Sequence, residues 1–342
     1  MTKIRDVVAH LESLAPPMYQ ESYDNSGLIV GDPQAEVAGV LLCLDSIEAV
    51  IDEAIELGCN LVIAHHPIVF KGLKRFTGKN YVERVVIKAI KHDVAIYACH
   101  TNLDNVALGV NRRISEMLGL QDLEILAPKS IVQQISFSCP LNQEAEVRSI
   151  LSEFADEHLP EGVSALGLTL NNQDLDGRLT VQLDLPKHQT PHLRKAVGHL
   201  NIPIRVQEST DRYAGIGSGM VGNLKKPTTA LAFLKKVKKT MHCGAIRHTA
   251  LMDTPVTRVA VCGGAGGFLL SAAKHAGAHV FVTADYKYHE FFDADGDLII
   301  ADIGHYESEQ YTIQLLEDLI NQKFRNFAVH LTSINTNPVN YL

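Results

Sequence analysis

Apolar positions along this chain follow two rhythms. Ile4, Val7, Val8, Leu11 and Leu14 recur at helical spacing, with Asp6 and Glu12 off the stripe, and Pro16-Pro17 ends that helix. Short unbroken apolar runs follow at residues 39–44, 61–64 and 94–99, as in strands covered on both faces of a sheet. Between and after them the spacing predicts helices over 47–57, closed by Gly58, over 82–92 and over 105–118. Residues 23–32 read as a turn, a short strand and another turn. Strands alternating with helices in this way predict βαβ units and a parallel sheet.

The same pattern occurs twice. Residues 40–66 align without gaps on 259–285, pairing Val40 with Val259, Cys43 with Cys262, Ala54 with Ala273 and Gly58 with Gly277. Leu61-Val62-Ile63 meets Val280-Phe281-Val282, and His65 and His66 meet Ala284 and Asp285. Further on, 95–98 corresponds to 299–301 and its neighbours. After a short gap His100-Thr101-Asn102-Leu103-Asp104 falls beside His305-Tyr306-Glu307-Ser308-Glu309. Both are His-x-x-x-acid just past a buried strand. The expected fold is therefore α/β, with two similar lobes at 1–125 and 214–342 facing one another. Between them strands are predicted at 132–139, 165–170, 179–185 and 204–208, helices at 144–159 and 191–200, and a polar turn at 171–177. The order β-α-β-β-α-β is that of a ferredoxin-like α+β unit, inserted as a domain over 126–213. The glycine-rich stretch 215–222 reads as a hinge back to the main body.

Composition narrows the class. A chain of 342 residues, 46% hydrophobic, can bury more than one core. A formal charge of −8 argues against a general nucleic-acid or membrane-surface binder. The six cysteines form no C-x-x-C pair and mostly sit in apolar runs, as reduced core residues of a cytoplasmic protein do. No apolar run approaches the roughly 20 residues of a membrane span, and the N-terminal helix does not read as a signal peptide.

The candidate chemistry gathers at strand ends. His65 and His66 close the run 61–64, and Pro67 denies the ladder its next N–H. Neighbours in an extended segment point to opposite sides, so each histidine could serve one of two ions. His305 and Glu309, spaced i and i+4, share one face of a helical turn, and Asp104 stands likewise to His100. Imidazoles with carboxylates and no thiolate suit two divalent ions per chain: Zn, Mn, Fe, Co or Ni. The predicted ligands are His65, His66, Asp104, His305 and Glu309, with Glu309 the first choice for a bridging carboxylate and Asp104 the second. His100 is a sixth candidate: a ligand, a group orienting one, or, the role assigned here, the catalytic proton-transfer residue. Two weaker signals stand beside these. Gly263–Gly267 follows a strand and opens a helix, either as a phosphate-cradling loop or as a tight turn. Lys287 and His289 belong either to an anion site or to a solvated loop.

The stretches Ser26-Gly27-Leu28-Ile29-Val30-Gly31, Ala64-His65-His66-Pro67, 99–104, 283–289 and Gly304-His305-Tyr306-Glu307-Ser308-Glu309 together resemble the Nif-three-like family. Its members go by the name of GTP cyclohydrolase I type two homologues. The resemblance covers both lobes, to about residue 126 and from about 215 onward. It implies a dinuclear metal centre with ligands at the same five residues, and a toroidal homohexamer with the metals facing an inner cavity. It also implies long members with an inserted domain similar to the PII/CutA fold. Tyr23 departs from the family, which usually has Trp there. The family name implies hydrolysis of a nucleotide such as GTP by a metal-activated water. A metal-dependent phosphatase or phosphoesterase and a non-enzymatic metal-handling or regulatory protein are the alternatives. The expected partners are other copies of the chain and a nucleotide or other phosphorylated small molecule.

Overall fold

The structure is a computed structural model that describes residues 2–129, 132–158, 169–172, 178–208 and 215–342. The N-terminal stripe forms α1 (Ile4–Leu14), burying Ile4, Val7 and Leu11. β1 (Gly27–Val30), β2 (Gly39–Asp45), α2 (Glu48–Glu56), β3 (Leu61–His66), α3 (Tyr81–Lys91) and β4 (Ala95–Ala98) follow. Then come α4 (Thr101–Asp104), α5 (Val110–Met117) and β5 (Leu120–Pro128). The middle of the chain forms β6 (Val132–Pro140), α6 (Glu144–His158), β7 (Thr169–Asn172), β8 (Arg178–Pro186), α7 (Thr190–Ala196) and β9 (Arg205–Glu208). The last part begins with β10 (Gly217–Thr228), α8 (Ala230–Thr240), β11 (Arg247–His248), β12 (Val256–Ala265) and α9 (Leu270–His275). It ends with β13 (Val280–Ala284), β14 (Ile299–Asp302), α10 (His305–Glu309), α11 (Thr312–Lys323) and β15 (Ala328–Leu331).

Two compact units result, one of Met1–Ala127 with Gly215–Leu342 and one of Pro128–Ala214. The larger unit has a mixed α/β fold built on two sheets. In one, ordered β1-β4-β3-β2-β15, Val40 lies opposite Leu61 and Leu61 opposite Ala95 in parallel register. In the other, ordered β11-β14-β13-β12-β10-β5, Val259 lies opposite Val280 and Val280 opposite Ile299, again in parallel. Alternate strand residues point to opposite faces. Val40, Leu42, Leu61 and Ile63 of the first sheet therefore enter one core with Val259, Val261, Val280 and Val282 of the second. The other faces, among them Leu41, Val62 and Ile96, or Ala260, Phe281 and Ile300, pack into separate clusters with residues of the covering helices. With about 1.5–3 kcal/mol for each aliphatic side chain buried there, the shared layer holds the sheets together. The carboxyl ends of β3 and β4 and the turn α10 after β14 are thereby brought to one cleft.

Four details differ from the sequence reading. β5, from the first half of the chain, is an edge of the second sheet, and β15, from the last part, is an edge of the first. The sheets therefore do not follow the boundaries at 125 and 214. Residues 217–222, read as a hinge, are the buried first half of β10. Their glycines serve close packing, since a Cβ on Gly222 would lie 2.8 Å from the Gln121 carbonyl oxygen. The helix predicted over 105–118 begins only at Val110. Ala107 N–H donates to the Gly215 carbonyl and Gly217 N–H to that of Asn105, so this segment pairs sideways. Gly109 completes the break, because a Cβ there would lie 1.7 Å from the Leu103 carbonyl oxygen.

The smaller unit has a four-stranded antiparallel sheet, ordered β7-β8-β6-β9, whose core includes Ile135, Phe137, Val181, Leu183, Val147 and Leu193. The predicted strand before Thr169, and 173–177 of the predicted turn, lie outside the described residues. All six cysteines are buried free thiols. Among the described residues no helix is long and apolar enough to cross a membrane.

Candidate metal centre

Four imidazoles converge on the cleft, and each has its Nδ1 already engaged. His65, fully buried at the end of β3, donates from Nδ1 to the Cys99 carbonyl at 2.9 Å. His66 Nδ1 lies 2.8 Å from Asp45 Oδ1, and β-pairing sets these two residues side by side. His100 Nδ1 lies 2.7 Å from Asp24 Oδ1, and His305 Nδ1 lies 2.7 Å from Asp285 Oδ2. Asp24 is itself held by the Thr101 backbone N–H at 3.0 Å and by the Thr101 hydroxyl. An acceptor on one ring nitrogen fixes the tautomer and aims the other, which is how metal-binding histidines are usually held. Nε2 is the nitrogen left for the cleft in all four.

Glu309 stands between two groups of donors. Its Oε2 lies 3.0 Å from His66 Nε2 and 3.1 Å from His305 Nε2, while Oε1 lies 3.8 Å from His65 Nε2. Asp104 Oδ1 is 3.7 Å from His65 Nε2. His65 Nε2 and Asp104 Oδ1 are buried without a hydrogen-bond partner. Two ligand atoms at about 2.1 Å from one ion in tetrahedral geometry lie about 3.4 Å apart. A divalent ion thus satisfies both orphaned atoms, and the donor set fits one. Three groups offer ligand atoms within 4.8 Å of one another: His65-Asp104-Glu309, His66-His305-Glu309 and His65-His66-His100. All six residues singled out in the sequence, His100 included, are brought together.

Glycine makes the approach possible. Gly264, at φ +61°, lies where a Cβ would come within 2.5 Å of Glu309 Oε1. Its N–H donates to Ser308 Oγ at 2.9 Å, and Gly263 N–H donates to Asn111 Oδ1 at 3.0 Å. Two of the loop's amides are thus used internally. The segment is a tight turn against α10, with no open phosphate cradle at those amides.

Without metal, His66, His305 and Glu309 hold one another in charged forms, while Asp104 is pushed toward its neutral form. Burial works against charge at His66, yet the hydrogen bonds its ring nitrogens donate to Asp45 and Glu309 raise its pKa to about 9. Burial likewise opposes charge at His305, but the Glu309 charge and the bond to Asp285 raise it to about 11. Burial would raise Glu309, and the neighbouring imidazoles, His305 first, hold it well below the usual carboxylate range. Burial raises Asp104, and the Glu309 charge adds to this against the pull of His65.

The cleft has a volume of about 850 Å³, within the range of small-molecule sites. Tyr23, Phe70, Phe268 and Tyr306 are among its aromatic walls, and the Phe70 ring stands edge-on to His100 at 5.6 Å. Among the described residues Arg247 is its one guanidinium, paired with Asp302 and donating to the Tyr286 carbonyl at 3.0 Å. Lys287 is not in the wall but 85% exposed, and His289 is also exposed. Sequence reasoning missed Asp24, Asp45, Asp285 and Arg247. An acidic residue at the end of a strand next to a ligand-bearing strand is the signal for Asp45, and reading it requires the sheet register.

A Bacillus subtilis protein named GTP cyclohydrolase 1 type 2 homolog is 31% identical over 367 residues, covering 99% of this chain and 98% of the relative. A Bacillus cereus protein described as related to NIF3 has a solved structure with TM-score 0.72 and 28% identity. The match covers 100% of this chain and 99% of that one. A Staphylococcus aureus protein structure matches at TM-score 0.80 and 27% identity, with the same coverage. The family model described as Duf34/NIF3 (NGG1p interacting factor 3) matches residues 2–338, and the chain belongs to that family.

Proposed function

We propose that this chain binds two divalent metal ions bridged by Glu309 and is a metal-dependent hydrolase acting on a nucleotide such as GTP. The observation that carries the reading is the division of Glu309: Oε2 faces His66 and His305, and Oε1 faces His65 with Asp104. In this reading His65 and Asp104 would hold one ion, His66 and His305 the other, and Glu309 would contribute to both. A pair of divalent ions, when bound, supplies Lewis acidity and lowers the pKa of water. His100, aimed by Asp24 and lying beside both ligand groups, gives or takes a proton at Nε2. The aromatic side chains that line the cleft suit a purine, and Arg247 offers the guanidinium for a phosphate. The names of the curated relatives support this substrate class.

A second reading, a protein that holds metal without turnover, has a specific observation in its favour. Among the described residues, seven carboxylates (Glu21, Asp45, Asp104, Asp285, Asp302, Glu307 and Glu309) line the cleft against one guanidinium, a surface that attracts cations.

The matching parallel registers of the two sheets support an internal duplication. The β-α-β-β-α-β order of the smaller unit supports an inserted domain of the ferredoxin-like, PII/CutA-like kind. We extend the proposal to a toroidal homohexamer with the metals facing a shared cavity. Tyr288 and Phe292, each about two-thirds exposed or more, are apolar surface of the kind a subunit interface covers.

The test is a turnover assay of protein stripped of metal and reloaded with one metal at a time, on GTP and a panel of nucleotides and phosphoesters. Release of product from GTP that requires metal and vanishes in Glu309→Gln is the expected result. Turnover confined to simple phosphoesters would make it a phosphoesterase, and tight metal binding without any turnover would favour the metal-holding reading.

A further inference from the structure

The segment after β15 crosses from one sheet's side of the site to the other's. Glu53 on α2 pins its start, with Ser333 N–H and Oγ donating to Oε1 at 2.8 and 2.6 Å and the Thr332 hydroxyl donating to Oε2. Thr336, which is buried, then donates from Oγ1 to Asp45 Oδ2 at 2.7 Å. The other oxygen of that carboxylate holds His66 Nδ1 at 2.8 Å. Asn337 Nδ2 next donates to Glu307 Oε1 at 3.2 Å, on the turn that carries His305 and Glu309. The Tyr341 ring lies against Gly244, where a Cβ would come within 2.3 Å of it.

We propose that Thr336 is a positioning residue of the metal centre, and that residues 332–341 form a strap joining the His66 ligand of one sheet to the α10 turn beyond the other. The argument rests on reading His66 as a metal ligand. A carboxylate bound through one oxygen still turns about its last torsion, which is broad and poorly defined. A donor on the second oxygen stops that rotation. A carboxylate only accepts, so the Thr336 hydroxyl must be the donor. With Asp45 fixed, the imidazole plane of His66 is fixed, and Nε2 is held toward Glu309 Oε2 at 3.0 Å. The side chain of Asp45 is 34% exposed, so water partly replaces a lost hydroxyl and the effect is expected to be moderate.

The test uses full-length protein loaded with cobalt(II), reading the visible ligand-field bands and the rate of cobalt loss to a chelator. Thr336→Val should alter the bands and speed cobalt loss by about tenfold, the lower end of the range for groups behind a metal ligand. Thr336→Ser, which keeps the hydroxyl, should restore both. Thr336→Ala carries the same expectation as the valine variant and replaces it if valine does not fold, as judged by metal-free thermal melting. Wild-type bands and rates in Thr336→Val and Thr336→Ala, or equal losses in Thr336→Ser, overturn the proposal while leaving the metal reading intact. A wild-type protein that takes up no cobalt overturns the metal reading first and this inference with it.

Discussion

Each histidine of the cleft is aimed by a partner that the sequence places far away, such as Asp24 for His100 or Asp285 for His305. That explains what could be read from the chain alone. The ligand residues announce themselves as His-His and His-x-x-x-acid past buried strands. The carboxylates that orient His66, His100 and His305 are single acidic residues that only the folded chain brings close. Two predictions belong at this scale. Gly264→Ala puts a Cβ into the left-handed region, costing about 1–2 kcal/mol, and pushes it against Glu309 Oε1. Metal affinity should fall while far-UV circular dichroism stays native, as chelator competition would show. The second concerns pH. His66 and His305 have folded pKa values of about 9 and about 11, above the ordinary imidazole value. Their contribution to the stability of the metal-free protein is fully present below about 6.5. It is lost as pH rises through those folded values. Metal competes with the same protons, so its affinity moves in the opposite sense. Thermal scans should show the metal-free melting temperature falling from pH 7 to 9.5 while the gain on adding metal grows. A gain that shrinks with pH would contradict this.

At the level of elements, the central parallel strands are legible because each is a continuous apolar run bounded by glycine or a polar turn. The edges were not. β15 (Ala328–Leu331) is exposed or only partly buried, without an apolar run, and it joins β2 only after α11 has carried the chain back. β5 alternates instead of running apolar, because it lies at a sheet edge. The glycines of β10 looked like a hinge for the same reason they suit a strand: they let another backbone come close. The smaller unit has its own sheet and its own core. Replacing residues 128–214 with a short Gly-Ser linker should therefore leave a protein that folds and takes up metal. Loss of both properties, seen by circular dichroism and metal analysis, would show that the unit is needed by the main core.

For the whole molecule, the claims of assembly and of chemistry are separable. Light scattering coupled to size exclusion should give the mass of six chains, unchanged on dilution. A mass of one or two chains would remove the enclosed cavity but leave the metal site standing, since all six candidate residues come from a single chain. The central claim is the pair of ions shared by Glu309, and anomalous diffraction from metal-loaded crystals tests it most directly. Two peaks roughly 3.5–4 Å apart are expected, as in two-metal sites, one beside His65 and Asp104 and the other beside His66 and His305. In Glu309→Gln crystals at least one of them should be lost. A single peak in the wild-type crystals, undiminished in Glu309→Gln, would contradict it.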